Sequence, residues 1–478
     1  MKIRRVCRLV VLTLFLAGSL CFFEVPGYTS ADQNSLLKEE SPDKVMPLEE
    51  LLQRALLANR TLQQNALQVE SRQYSLRSAE SEFDWKFQPS ANVGISGRSN
   101  TSAQTRGVSG KISKKNSLGV EASVTPSITY REASGSAGGV GASLSIPLFR
   151  GFGREFNYDA VHAADFSLAT STRNMYLSEV EIVLETVTLV YEILRQQALV
   201  NLFSLQEKRF KGHVHRASIM EDTGLSSPID TYRARIRLGD VQEQLTVARE
   251  KHRASLDRLK VLLAYPVESA LKVKAPLSYA PTRISDKKAI EIALENRIEL
   301  EQSGADLLES ERKSRVAKRG LLPDIKLVGT YRRKTFPGDF SEFDVDSDEY
   351  WSIGLTSSTD FSRTREKAIY QQSLLEVRRK KLQLQTRSDE IISEVKNRLD
   401  ALKQEEQRIA LRQDQIIQAK GKMRLAEIKF SHGMGDNFDL LESEIEYQQA
   451  KTNVLSEKNA YIVGQYRLRA ALGTLLAR

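Results

Sequence analysis

Cysteine is almost absent from this sequence of 478 residues, which contains only Cys7 and Cys21. Both lie in an N-terminal segment with the parts of an export signal: basic residues, an apolar run, and small residues just before Asp32. Removal of residues 1–31 would leave no thiol for a disulfide, a redox switch or a cysteine metal site. The alternative is lipidation of Cys21, although Leu20 stands where a lipidation signal usually has a small residue.

Long apolar runs are also missing. Beyond residue 31 the sequence has no stretch of about 18 consecutive apolar residues, so it predicts no membrane-spanning helix. Any segment that crosses a membrane would therefore have to cross it as strands. The 70 Lys and Arg exceed the 61 Asp and Glu, but they are scattered among acidic residues. That pattern is typical of solvated helix surfaces and argues against nucleic acid as a partner.

Motifs for catalysis, metals or cofactors are lacking as well. Among the five histidines, His213 and His215 are two positions apart and point to different faces of a helix. Gly151–Gly153 resembles the start of a phosphate-binding loop, but Phe156 occupies the third glycine position. The acidic run Asp344–Asp348 lacks the glycine of a calcium loop. The sequence therefore predicts no enzyme, no metal site and no cofactor.

Proline is absent from Thr364 to the C-terminus, and a helix of about 100 Å is predicted over residues 364–431. Its apolar residues alternate at three and four positions, which is the spacing of a coiled-coil seam, with Glu406 and Gln413 as the two breaks. The predicted seam consists of Ile392, Val395, Leu399, Leu402, Ile409 and Ile416. A second long helix with similar spacing is predicted over residues 154–223.

The chain is predicted to be a duplication. The segment Ala293–Leu300 repeats the pattern that begins at Ala55, and each repeat has shorter helices, strands, a long helix, a glycine turn and a returning helix. Linkers are predicted at residues 32–46 and 266–284. The repeats then cover residues 47–265, with a returning helix at 227–264, and 285–478, with a returning helix at 437–476.

Strands are predicted after a proline in each repeat, where apolar residues alternate with small or polar ones. The predicted hairpins span residues 90–147 and 324–358, with Leu118 and Val120 on a strand and Gly107–Ser113 as an extra, shorter strand. About four principal strands per chain cannot close a barrel, and open edges are costly in lipid. Several copies would therefore have to share one barrel.

This order of elements resembles the TolC-like outer-membrane efflux and export factors over nearly all of residues 47–478. The most specific segments are Ile146–Arg154 after a strand, Thr223–Leu225 with Asp230 at the first turn, and Leu472–Leu476 near the end. The resemblance implies a mainly helical fold with a membrane β-barrel portion: duplicated coiled-coil hairpins and β-hairpins that form a trimeric α/β-barrel tunnel. It implies twelve barrel strands in the outer membrane and a helical cylinder in the periplasm of a Gram-negative-type envelope.

The two glycine turns are the candidate sites. Gly224 and Gly433 are each followed six residues later by an aspartate, Asp230 and Asp439, and helix capping alone would explain both. The other hypothesis is that Asp439 and Glu442 from three copies, with Asp230 nearby, ring the periplasmic mouth of the tunnel and favour cations.

The turn residues Gly224, Leu225, Gly433 and Met434 are candidates for docking a periplasmic adaptor; the alternative is that the glycines serve only the tight turn. Family members close the mouth with a tyrosine and an arginine. The matching positions here hold Phe430 and Gly435, which puts that latch in doubt.

The sequence and the resemblance together predict the passive exit duct of a tripartite efflux pump or type I protein-secretion system. Its partners would be outer-membrane lipid, a periplasmic adaptor and an inner-membrane transporter. The alternative is a secreted periplasmic coiled-coil protein, structural or adaptor, without a pore. Strand content and extraction from membranes would separate the two.

Overall fold

A computed structural model describes residues 45–98, 101–132, 135–224, 226–278, 280–335, 347–432, 434 and 437–477. It divides into two compact units. Of the described residues, the first unit contains Val45 and Ser269–Lys272, and the second contains the rest. The predicted export signal and both cysteines lie outside the described residues.

The first repeat contains strands, two short helices and a pair of long helices. Asn59 ends one short helix and begins the next: its side-chain oxygen accepts hydrogen bonds from the backbone N–H groups of Thr61 and Leu62, at 2.9 and 3.2 Å. The elements in chain order are β1 (Val45–Pro47), α1 (Leu48–Ala58), α2 (Arg60–Glu80), β2 (Lys86–Arg98), β3 (Thr101–Lys115), β4 (Glu121–Arg131), β5 (Gly135–Pro147), α3 (Arg154–Asn157), α4 (Asp159–Asp222) and α5 (Pro228–Leu262).

The second repeat has the same order with fewer strands. Its elements are β6 (Lys272–Lys274), α6 (Asp286–Asn296), α7 (Ile298–Gly320), β7 (Ile325–Thr335), β8 (Ser347–Ser357), α8 (Thr364–Ser431) and α9 (Asn437–Ala471). With 64 and 68 residues, α4 and α8 are about 96 and about 102 Å long. No helix among the described residues is both long enough and apolar enough to cross a membrane.

The predicted helix over residues 154–223 is interrupted near its start. Tyr158 leaves the helical conformation between α3 and α4, and its ring stacks on Phe83 with the centroids 4.3 Å apart. The buried Asn157 donates hydrogen bonds to the carbonyl oxygens of Gly151 and Gly153, at 2.8 and 3.0 Å. These contacts fix the junction between strand and helix, and they explain why the regular helix begins later than its apolar pattern predicts.

Four of the six predicted seam residues on α8 are buried, namely Val395, Leu399, Leu402 and Ile409, and the buried side departs from the prediction at two positions. Ile391 is buried and Ile392 only half-buried, and Glu405, not Glu406, turns toward the helix pair. Opposite it, a Cβ atom on Gly464 would lie 2.9 Å from Leu402 and 3.0 Å from the Glu405 carboxylate. Glycine therefore lets α9 approach α8 closely, and burial raises the pKa of Glu405.

Six strands of the described chain form one antiparallel sheet, in the order β2-β3-β4-β5-β7-β8. The expectation of about four principal strands is wrong, because the sheet has six, and β3 is a full strand of 15 residues and not a short extra one. Leu118 and Val120, predicted on a strand, lie in the turn before β4. Within β4, Pro126 has no N–H to donate, and the register with β3 is interrupted between Ser109 and Ile112.

The two faces of this sheet differ in polarity, and we call it the amphipathic sheet. Along each strand, alternate residues point to opposite faces. On the polar face, hydroxyl pairs join neighbouring strands: Ser90 with Ser109 at 2.6 Å and Ser123 with Ser143 at 2.8 Å. The other face carries exposed apolar side chains: Phe87, Val93, Ile95, Val108, Ile112, Val124, Ile128, Val140, Leu144, Tyr331, Trp351, Ile353 and Leu355.

Candidate functional site at the turns between the long helices

The first turn joins α4 to α5 through Gly224. This residue has φ +69°, a left-handed conformation that glycine adopts without strain. Its N–H donates to the carbonyl oxygen of Glu221 at 3.0 Å, which satisfies one of the last carbonyls of α4. No heavy atom lies within 4 Å of a Cβ built on Gly224, so the backbone conformation and not lack of space favours glycine here. Leu225 lies outside the described residues.

Ser227 and Pro228 begin α5 in the frame that the sequence predicts. The Ser227 hydroxyl accepts from the N–H of Ile229 at 3.4 Å, and Pro228 occupies the first helical turn. Asp230 is half-buried, and its carboxylate lies 3.6 Å from the guanidinium of Arg233. That guanidinium also lies over the ring of Phe438 on α9, 5.5 Å from the centroid. Asp230 therefore lies next to a contact between the two helical hairpins, α4–α5 and α8–α9.

The second turn joins α8 to α9. The N–H of His432 donates to the carbonyl oxygen of Ile428 at 3.2 Å, and that of Met434 donates to Lys429 at 2.9 Å. The Met434 side chain is 72% exposed, while Phe430 is half-buried at the end of α8. The structure does not describe Gly433 or Gly435, so those candidates remain predictions from the sequence.

Asp439, Glu442 and Glu446 form an exposed acidic stripe on α9. Opposite them on α8, Lys422 donates to both carboxylate oxygens of Glu446 at 2.8 Å. The hydrogen bond from Lys422 to Glu446, reinforced by the negative charges of Glu446, Glu442 and Asp439, raises the pKa of the Lys422 ammonium group. Within the single chain, Glu446 is thus paired, whereas Asp439 and Glu442 remain available as surface charge facing solvent.

Glu444 is a buried carboxylate that the sequence analysis did not single out. It is 3% exposed and joins α9 to α4. One of its oxygens accepts from Arg209 at 3.1 Å, and the other lies 2.8 Å from Nε2 of the buried His213. Arg216 lies 3.1 Å from the second ring nitrogen of His213. We call these four residues the inter-hairpin cluster.

The inter-hairpin cluster is held in an apolar layer. The ring of Phe210 meets His213 edge-on at 5.7 Å, and Phe210 belongs to a buried group with Ala234 and Leu441. Burial alone would raise the pKa of Glu444, but hydrogen bonds and charge from His213 and Arg209 outweigh it and lower that pKa. The carboxylate therefore carries its charge inside the interface between the hairpins.

A sequence signal for Glu444 existed. It falls between Leu441 and Gln448 at three-and-four spacing, so it occupies a position that turns inward with the apolar side of α9. His213 has a similar position on α4. Nothing in the sequence indicates that α4 and α9 face each other, and the two side chains are 231 positions apart.

The described residues near these turns form no metal-binding group. Within the part of the chain that the structure describes, no group of three or more His, Cys, Asp or Glu side chains could hold a metal ion. His213 is buried and His215 exposed, on different sides of α4. The arrangement therefore offers charged surface, turn backbone for a protein contact, and an ion pair that links two hairpins.

Two pairs of long antiparallel helices, α4–α5 and α8–α9, and the amphipathic sheet make up most of the described fold. Solved structures share it. The outer membrane protein VceC of Vibrio cholerae aligns with a TM-score of 0.70 at 14% identity, covering 89% of this chain and 96% of that one. The CmeC outer membrane channel of Campylobacter jejuni gives 0.70 at 15% identity, covering 90% and 86%. The MtrE outer membrane channel of Neisseria gonorrhoeae gives 0.67 at 16% identity, covering 90% and 89%.

Residues 51–264 and 289–474 match the outer membrane efflux protein family, and the chain belongs to this family. The two matched segments correspond to the two repeats and together cover more than half of the sequence. The predicted TolC-like family is thereby confirmed. Members of the family are channels and not enzymes, and membership supports an exit duct in the outer membrane. A comparison with curated protein sequences gives no match.

Proposed function

We propose that three copies of this chain form the passive exit duct of a tripartite export assembly in a Gram-negative-type envelope. The observation that carries the proposal is the combination of an amphipathic sheet with helices of about 100 Å in one chain. The exposed apolar face of the sheet suits lipid, and the polar face suits a water-filled lumen. The helices α4 and α8, about 96 and about 102 Å long, could extend such a duct well beyond the sheet. Family membership supports a periplasmic adaptor and an inner-membrane transporter as partners.

Reconstitution tests this function directly. The full chain, purified from outer membranes in detergent, is expected to migrate as a trimer and to give discrete conductance steps in planar bilayers. The alternative, a periplasmic coiled-coil protein without a pore, predicts a chain that leaves the membrane without detergent and gives no conductance. The apolar face of the amphipathic sheet argues for the channel, because that much exposed apolar surface is unfavourable in water.

The candidate pore entrance gives a prediction about ion selectivity. If threefold symmetry brings Asp439 and Glu442 of each copy together, six carboxylates attract cations to the mouth. The double variant Asp439→Ala, Glu442→Ala is expected to lower the cation-over-anion permeability ratio by roughly threefold or more. Reversal potentials in a salt gradient measure this ratio.

A matched control removes the same charge elsewhere. Glu243 and Glu250 are exposed on α5, and the double variant Glu243→Ala, Glu250→Ala should keep the selectivity of the wild-type channel. If the turn variant and the α5 variant change the permeability ratio equally, the acidic stripe is not the entrance.

The adaptor-docking hypothesis gives a second prediction. A photo-reactive residue in place of Met434 or Leu225 is expected to crosslink a periplasmic protein in whole cells, because Met434 lies in the turn after α8 and Leu225 directly follows Gly224 in the sequence. The control position is Leu308 on α7, an exposed apolar side chain away from the turns. Mass spectrometry of the adducts identifies the partner, and equal capture at Leu308 would argue against docking at the turns.

A further inference from the structure

We propose that the membrane portion of this protein is a barrel of eighteen strands, in which β8 of each copy pairs with β2 of the next copy and Trp351 lies opposite Val93. The proposal rests on the three copies of the proposed function: three chains, each contributing the six strands of its described sheet, make eighteen. The twelve strands implied by the resemblance assumed four per chain.

The additional hairpin β2–β3 has the surface of a barrel wall. Its apolar side chains Phe87, Val93 and Val108 point to the same face of the amphipathic sheet as Val124 in β4 and Trp351 in β8. One row of paired residues on this face crosses all six strands in the order Phe87, Ile112, Val124, Ala142, Tyr331 and Trp351. Because its apolar and polar faces continue those of the other four strands, β2–β3 fits the same lipid-to-lumen boundary.

The edges of the amphipathic sheet are suited to another copy of the same sheet. Among the described strands, β2 and β8 each have a neighbour on one side only. They have 13 and 11 residues, and both carry exposed apolar side chains, including Val93 and Ile353. Long apolar edges of this kind leave backbone N–H and C=O groups unpaired, which is unfavourable in lipid. With an even number of strands, β8 and β2 of adjacent copies run antiparallel, like every pair in the sheet.

The stagger of the sheet fixes the register between copies. The row that crosses the sheet begins at Phe87, one residue after the start of β2 at Lys86, and reaches Trp351, six residues before the end of β8 at Ser357. Measured from this row, the strand end next to a helix is one residue away in β2 and six residues away in β8. The stagger across one chain is therefore five residues. If Trp351 pairs with Val93 of the next copy, the row has moved from Phe87 to Val93 between one copy and the next. The stagger per copy is then six residues, since Val93 lies six positions after Phe87. In this register β8, from 347 to 357, pairs over its whole length with residues 87–97 of β2.

This register gives a strand tilt that is usual for β-barrels. A stagger of six residues over six strands, with about 3.3 Å per residue and about 4.7 Å between strands, tilts the strands by about 35°. Eighteen strands at this tilt close into a barrel about 33 Å across, whereas twelve would give about 22 Å. The extra hairpin would therefore widen the barrel relative to a twelve-stranded barrel of the same tilt.

Paired cysteines test the register, because the chain has no cysteine after Cys21. The double variant Val93→Cys, Trp351→Cys is expected to form disulfides between copies on mild oxidation, giving covalent dimers and closed trimers on non-reducing gels. Each single variant should stay monomeric on the same gel. Both side chains are exposed on the apolar face of the single chain, so the substitutions leave the buried core intact.

A second pair distinguishes the two barrels. If β2–β3 lay outside the barrel wall, β8 would pair with β4 of the next copy. The residue of β4 that corresponds to Val93 is Ile128, because Ile128 lies seven positions after the start of β4 at Glu121 and Val93 lies seven positions after the start of β2 at Lys86. Crosslinking of Ile128→Cys, Trp351→Cys in place of the Val93 pair would overturn the eighteen-stranded barrel and leave the proposed function standing. If neither pair crosslinks while the protein still conducts, this sheet pairing is wrong. If neither crosslinks and conductance is absent, the proposed function fails as well.

Discussion

The variant Glu444→Gln is expected to lower the free energy of unfolding by roughly 2–3 kcal/mol. The substitution removes the carboxylate charge next to Arg209 and His213 in the inter-hairpin cluster. The His213 side chain, which is only 7% exposed, then has no ionised hydrogen-bond partner. Thermal unfolding followed by helical circular dichroism in detergent measures the loss. Since the cluster joins α4 to α9, the same variant should also raise the open probability of single channels.

The matched control is Glu446→Gln, two positions further along α9. Glu446 is also hydrogen-bonded to a cation, Lys422, but both side chains are about half exposed. Exposed ion pairs contribute little to stability, so this variant should melt close to the wild type. Equal losses in the two variants would mean that the inter-hairpin cluster does not link the hairpins.

The contribution of Glu444 depends on pH in a definite direction. Its pKa is lowered in the folded chain, so the stabilisation is present above the ordinary glutamate pKa of about 4.3 and disappears as pH falls through the lower folded value. The groups facing this carboxylate are Arg209 and His213, with Arg216 beside the imidazole. The difference in melting temperature between wild type and Glu444→Gln should therefore shrink below about pH 4.

The variant Gly473→Ala is expected to cost roughly 2–4 kcal/mol. Gly473 follows the end of α9 with φ +72°, and a Cβ atom there would lie 2.7 Å from the carbonyl oxygen of Asn296. Both the left-handed backbone and the contact with another backbone segment oppose a side chain. The last turn of α9 would have to move away from the end of α6.

Gly224→Ala is the control that separates these two causes. Gly224 has nearly the same φ, +69°, but nothing lies within 4 Å of the added atom. Only the backbone penalty of about 1 kcal/mol applies. The melting temperature should therefore be highest for the wild type, lower for Gly224→Ala and lowest for Gly473→Ala. A Gly473→Ala protein that melts with the Gly224→Ala protein would show that the close approach to Asn296 carries no energy.

The sequence by itself determined the features that depend on local periodicity. The three-and-four spacing along α8 and the alternation along β7 come from side chains whose burial repeats with the geometry of their own element. The proline-free C-terminal segment and the Ser227–Pro228 start of α5 are local signals as well. These patterns were sufficient to indicate the duplicated order of helices and strands, and with it the family.

The tertiary structure alone decided which elements meet. The small and polar residues of β3 give a weak strand signal, and β3 extends to 15 residues because it has a pairing partner on each side. The burial of Ile391 instead of Ile392 depends on how α6 and α9 pack against α8. The Glu444–His213 contact depends on two helices from different repeats lying side by side. Contacts between residues far apart in sequence arise from the relative positions of whole elements, which no local pattern specifies.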